Sequence, residues 1–169
     1  QIEGDPRPDV SFEARKAQHD ALLKLYLLEP AMQAAERTLT SLKKQIDDLE
    51  GNLKKLPSVP PSLLEAIKPI SKEIEDIRIE LLGDPRAGFA AMRFSVRGRL
   101  RSLGSLIGRY TGAPSERQLS QIEQNSARLK ALVERINKII DQDIPQLNKL
   151  MHENNIPHLI PVQKIKFIA

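Results

Sequence analysis

Apolar residues recur at alternating steps of three and four through Leu25, Leu28, Met32, Ala35, Leu39, Leu42, Ile46, Leu49, Leu53 and Leu56. A period near 3.5 keeps one seam of a helix turned toward a partner, so this stretch predicts a long coiled-coil-like helix. Ser11 stands where its hydroxyl can cap the first turn, and Glu13 lies near the positive end of the helix dipole. Pro30 has no amide N–H for the Tyr26 carbonyl and its ring crowds that carbonyl, which predicts a kink or break. Pro57, Pro60 and Pro61 predict the helix end.

A second stripe, Leu63, Ile67, Ile70, Ile74, Ile77 and Leu81, follows Ser62-Leu63-Leu64-Glu65, which has the form of a capping box. Pro69 predicts a distortion of its first turns, and Gly83-Asp84-Pro85 a stop. Phe89, Met92, Val96, Leu100, Leu103, Ile107 and Tyr110 predict a third helix, which Gly98, Gly104 and Gly108 weaken by about 1 kcal/mol each relative to Ala. After the Gly112-Ala113-Pro114 turn, Ser115 and Gln118 form a second capping box. Leu119, Ile122, Leu129, Val133, Ile136, Ile140, Leu147 and Leu150 then hold a heptad register with Ser126 and Asp143 as polar exceptions, and Pro145 interrupts it late. At the seam, Asp143 reads as a polar residue that sets register, with a buried acid as the alternative.

The outer helices are about forty residues long, or ~60 Å, and the inner two about half that. The predicted fold is all-α: an antiparallel four-helix bundle whose two long helices extend as a coiled-coil-like stalk. Residues 1–10 read as a linker from a preceding domain, 11–156 as the helical bundle and 157–169 as an extended apolar tail. In the tail, Lys164 and Lys166 alternate with Ile165 and Phe167, while Pro157 and Pro161 forbid a continued helix. This pattern predicts a segment docked on the bundle or stalk near the N-terminal segment, anchored by Ile165 and Phe167; the alternative is docking on a separate parent domain.

Composition narrows the chemistry. The 169 residues include no Cys and only three His, so disulfides, thiolate metal sites and cysteine catalysis are excluded. His19, His152 and His158 do not make the i, i+4 pair of a helical metal site, and neither a phosphate-binding glycine loop nor a Gly-x-Ser-x-Gly elbow is present. No catalytic, cofactor-binding or metal-ligating residue is therefore predicted, and the chain reads as noncatalytic. No apolar run has the length of a membrane span. Residues 83–112 carry Arg86, Arg93, Arg97, Arg99, Arg101 and Arg109 against Asp84 alone. Arg93, Arg97 and Arg101, at helical spacing, predict a basic row. It either faces an anionic partner or pairs with Glu73, Glu75, Asp76 and Glu80 on the preceding acidic helix. Without a groove-reading motif or stacking aromatics, the row argues for pairing and against nucleic acid.

The opening Gln1-Ile2-Glu3-Gly4-Asp5-Pro6-Arg7 lacks a signal peptide and an initiator Met, and reads as the interior of a longer protein. Followed by a long helix, it resembles the junction in large bacterial secreted proteins with a sortilin-like β-propeller, often labelled BNR-repeat or glycosyl hydrolase proteins. Gly112-Ala113-Pro114-Ser115-Glu116-Arg117-Gln118, with Asp143, Leu147-Asn148 and Leu150, resembles the closing helix of that family, with Ser115 where Thr is usual. The resemblance implies an extracytoplasmic C-terminal module whose partner is the parent β-propeller or another protein, and whose parent carries any hydrolytic chemistry. Two functions are thus expected to compete. One is a noncatalytic structural or protein-interaction module, with Arg93, Arg97, Arg101, Ile165 and Phe167 as its interaction surface. The other is a self-standing basic helical protein that binds nucleic acid or another anionic partner.

Overall fold

The structure, a computed structural model, describes residues 10–56 and 60–167; all but the last residue of the linker expected over 1–10, and Pro57, lie outside them. Among the described residues the chain is all-helical, without a strand. Helix α1 spans Phe12–Leu53 and opens as expected, with Ser11 Oγ accepting from the Ala14 amide at 3.1 Å. It runs through Pro30 without a break. Pro30 and Tyr26 both lie on the exposed side of the helix, where water can bond the carbonyl that Pro30 leaves unpaired. The seam is buried from Leu28 to Leu53, but Leu56 falls beyond the helix and is exposed.

Helix α2 spans Pro61–Leu82 and starts two residues earlier than the capping box requires. Pro61 occupies the first helical position, where its missing N–H costs nothing, so Ser62 lies inside the first turn and no side chain caps the helix. Pro69, also exposed, leaves α2 continuous. Gly83 ends it at φ 93°, and the chain turns through a 3-10 segment, Pro85–Ala87, capped by Asp84.

The expected third helix is two helices, α3 over Gly88–Phe94 and α4 over Val96–Arg109. Ser95 separates them: its hydroxyl donates to the Met92 carbonyl at 2.7 Å and accepts from the Gly98 amide at 3.1 Å, closing α3 and capping α4 together. Gly98 permits this corner, since a Cβ there would lie 2.0 Å from the Met92 carbonyl oxygen. Val96, Leu100, Leu103 and Ile107 are buried as the stripe predicts, whereas Met92 and Tyr110 are exposed.

Helix α5 spans Glu116–Lys138 and opens on the capping box of Ser115 and Gln118. A π-helical turn, Ile139–Asp143, joins it to α6, Ile144–Glu153. Pro145 cannot donate to a carbonyl in the preceding turn and its ring crowds that turn, which a wider turn relieves. The wider turn shifts the register around it: Ile139 is buried where Ile140 was expected, Ile144 takes the seam position expected of Asp143, which is half-exposed, Leu147 is buried as expected, and Met151 takes the place of Leu150.

The helices do not pack as a four-helix bundle with a two-helix stalk. Helix α2 covers the C-terminal half of α1, and α4 covers the N-terminal half, where Arg97 reaches Glu36, Arg101 reaches Glu29 and Gln18 donates to the Ile107 carbonyl. The two shorter helices thus follow one another along α1, and α5 and α6 complete the third side. One core runs from Leu28 through Leu53 with α2, the start of α4, α5 and α6, and a smaller one joins Ala21, Leu103, Ile107 and Ile122. The physical reason is the seam of α1, which carries apolar residues beyond the reach of α2 and needs a second cover there.

The glycines of α4 differ in what they permit. Gly98→Ala should destabilise the chain by about 1–3 kcal/mol, because the new methyl meets backbone rather than a movable side chain. Gly104→Ala, whose Cβ would come no closer than 3.8 Å to Leu25, should be neutral or stabilising by up to ~1 kcal/mol. Urea denaturation of the two variants checks the contrast; equal destabilisation would contradict the corner at Ser95.

Candidate interaction surface

Past α6 the chain turns through Asn155, in left-handed conformation at φ 55°, and runs extended beside α6, the π turn and α5. Two asparagines hold it. Asn148 Oδ1 accepts from the Leu159 amide at 2.8 Å while its Nδ2 donates to the Leu159 carbonyl at 3.3 Å. Asn137 repeats the pairing with Ile165, at 2.8 and 2.9 Å. A side-chain amide offers one donor and one acceptor, as a β-strand neighbour would, so each asparagine satisfies an otherwise lone strand residue. Gln45 of α1 accepts from the Ile160 amide on the other side.

Leu159 and Ile165 are buried and Phe167 is partly buried on the main core, so Ile165 and Phe167 face this chain's own helices. The contact with Gln45 places the tail on the C-terminal half of α1, away from the chain start; the expected approach to residues 1–9 lies outside the described residues. Leu159 was not anticipated as an anchor, nor were the two asparagines, which share the helix with charged residues of similar hydropathy.

The basic row is divided. Arg93 ends α3, and the corner at Ser95 separates it from Arg97 and Arg101 on α4. Arg97 pairs with Glu36 at 2.7 Å and Arg101 with Glu29 at 3.5 Å, both on α1. The expected partners on α2 are taken by α5: Glu73 by Arg135 at 2.8 Å, and Glu80 by Arg128 and Arg135 at 3.1 and 3.3 Å. The hydrogen bond from Arg135 holds the Glu73 carboxyl below the usual carboxylate range, against a smaller opposing effect of burial. Arg93 pairs with no carboxylate among the described residues.

Arg93 instead stands at a cleft between α3, α4 and α5, about 500 Å³ in volume. Phe94, Leu103 and Leu106 supply its apolar wall, and Arg99 its second cation. Arg99 donates to the Phe94 carbonyl at 3.0 Å and stands 5.7 Å from the centre of the Phe94 ring. Among the described residues no carboxylate lines the cleft. Asn125 does, although only 4% of it is exposed; its Nδ2 donates to the Gln121 carbonyl at 2.7 Å, and its Oδ1 has no partner. Around this cleft the surface is apolar, with Phe94 67% and Leu106 59% exposed. Helical spacing places Asn125 beside the seam residue Ser126, the only sequence signal of its burial.

Among the described residues no three His, Cys, Asp or Glu side chains converge as metal ligands, and no helix is long and apolar enough to cross a membrane. His152 and His158 stack at 5.6 Å between ring centres where α6 meets the tail. The asparagine pairings predict that Asn137→Ala and Asn148→Ala each destabilise by about 1–3 kcal/mol, since each leaves a strand residue's N–H and C=O without protein partners. That corresponds to a fall in Tm of roughly 2–10 °C, with faster proteolysis between residues 157 and 167; an unchanged Tm and cleavage pattern would show that the tail is held by other contacts. Compared with protein-family models, curated proteins and solved structures, the chain finds no match, so its function has to be argued from its own geometry.

Proposed function

We propose that the chain is a noncatalytic helical module that binds another protein through the α3–α4 face. The observation that carries this reading is the coincidence of exposed Phe94 and Leu106 with Arg93 and Arg99 around a cleft that no described carboxylate lines. Apolar side chains grouped with aromatic and arginine residues have the composition of an interface core, and their exposure on a folded chain is unfavourable unless a partner covers them. The partner that complements this face is a protein surface with apolar and acidic side chains. Ile165 and Phe167, packed on the chain's own core, support a structural role for the tail, and Arg97 and Arg101 a role in joining α4 to α1.

Pairing of Arg97 with Glu36 and of Arg101 with Glu29 weakens the alternative of nucleic-acid binding, because it removes two cations from the basic row of residues 83–112. The resemblance to the helical region of secreted sortilin-like β-propeller proteins proposes one parent, and coding sequence upstream of Gln1 that runs into propeller repeats and a signal peptide would supply it. A photocrosslinking amino acid placed at Leu106 in the source cell tests the binding face, with Lys55 at the far end of α1 as the control position. Expected are adducts with a different protein at position 106 alone, reduced at least severalfold by Phe94→Glu. Adducts of twice the chain mass, or equal adducts at both positions, would overturn the reading. So would binding of mixed-sequence DNA that falls steeply with salt and is lost in the Arg93→Gln, Arg99→Gln variant.

A further inference from the structure

The orphaned oxygen of Asn125 says what the cleft is built to hold. A buried acceptor without a partner destabilises a folded chain, and here it is not forced by the helix: the Gln121 carbonyl that holds Nδ2 already accepts the main-chain bond of α5. Because Nδ2 is committed to that carbonyl, Oδ1 is the free prong of the amide; it is closed to solvent in the free chain, so a donor from outside reaches it only as the side chains of the cleft part around the occupant. The apolar Leu103, Leu106 and Phe94 line the same cleft, and Arg93 and Arg99 add positive charge with no carboxylate among the described lining residues to offset it. An occupant that satisfies all three features carries a hydrogen-bond donor at its buried end, an apolar body and negative charge where it leaves the cleft.

We propose that the cleft takes an aromatic side chain bearing its own donor, a tyrosine hydroxyl or tryptophan ring N–H, from a partner segment with acidic residues on either side of it. Such a side chain has an apolar body and one polar tip, the combination that anchors protein interfaces. Its donor completes Asn125, and the flanking carboxylates meet Arg93 and Arg99. The inference rests on the binding face proposed above and names the chemistry of what that face recognises.

The test uses the full chain and three synthetic peptides that differ at one position: Glu-Asp-Tyr-Leu-Asp-Glu and its counterparts with Trp or Phe in place of Tyr. Amide chemical shifts of Ser102 and Gln121 report the cleft, and fluorescence anisotropy gives Kd. The Tyr or Trp peptide should bind at least tenfold more tightly than the Phe peptide. Asn125→Leu should abolish that preference, and Arg93→Gln with Arg99→Gln should weaken all three peptides and flatten their salt dependence. Asn125→Leu should also raise the Tm of the free chain, because it removes an unpaired buried oxygen. Equal binding of the Phe peptide, no binding of any peptide, or a lowered Tm for Asn125→Leu would overturn the inference. If the peptides fail while crosslinks at position 106 persist, this inference falls alone; if the crosslinks are absent, the binding face itself falls.

Discussion

Helix α1 is 42 residues long and carries an apolar seam along nearly its whole length, and every other element is arranged by the need to cover it. No other uninterrupted α-helix in the chain matches that length. Gly83 stops α2 after 22 residues, at a level where Leu28, Leu25 and Ala21 still need partners. The chain therefore turns through Asp84 to Phe94 and resumes in the same direction as α4. The turn survives because two groups meet there without a side chain in the way: the Met92 backbone approaches both Gly83 and Gly98, where a Cβ would stand 2.7 and 2.0 Å from it. What costs helix propensity in α4 is what allows two helices to act as one cover.

Charge fixes the register of this arrangement more than it stabilises it. The pairs Arg97 with Glu36, Arg135 with Glu73 and Arg128 with Glu80 join different helices at the edges of the core. Each is partly open to solvent, so each contributes modestly to stability, but a helix displaced by one turn would break the pairs as they stand. Helix α3 lies outside this lattice. It is seven residues long, ends in Arg93, which pairs with no carboxylate among the described residues, and an exposed Phe94, and forms one wall of the cleft that holds Asn125. The part of the chain least needed for covering α1 is thus the part that carries the proposed binding face.

The tail solves a different problem. The groove beside Leu42, Ile140 and Ile144 is apolar and open on its outer side, and Pro161 and Val162 lie in its lining. An extended segment can fill such a groove only if its backbone groups find partners, because no second strand is present. Asn137 and Asn148, 11 residues apart on the outer face of the helix and its π turn, pair with Ile165 and Leu159, six residues apart on the tail. Eleven residues of helix rise about 16 Å, while six extended residues span at most about 20 Å, so the two ladders match with slight slack. The prolines that end the helix also prevent the tail from curling into another one.

How much of this was legible follows from what each signal depends on. The seams of α1, α2 and α5, the caps at Ser11 and Ser115, the stop at Gly83 and the anchoring of the tail by Ile165 and Phe167 are properties of neighbouring residues, and local periodicity and capping chemistry determined them. Pro30 and Pro69 leave α1 and α2 unbroken, both standing exposed where water can meet the lost hydrogen bond, and exposure is a property of packing. The corner at Ser95 depends on the approach of Met92 to Gly98, the π turn on fitting Pro145 into a helix already held by its partners, and the pairing of Arg97 with Glu36 on residues 61 apart. The burial of Asn125 with an unpaired oxygen needs α3, α4 and α5 in place together. The sequence by itself determined which segments are helical and which of their faces are apolar, because those follow from interactions within a few residues. Only the tertiary structure decided which helix covers which part of α1 and where a polar atom is left without a partner, because those depend on the competition among distant segments for one shared surface.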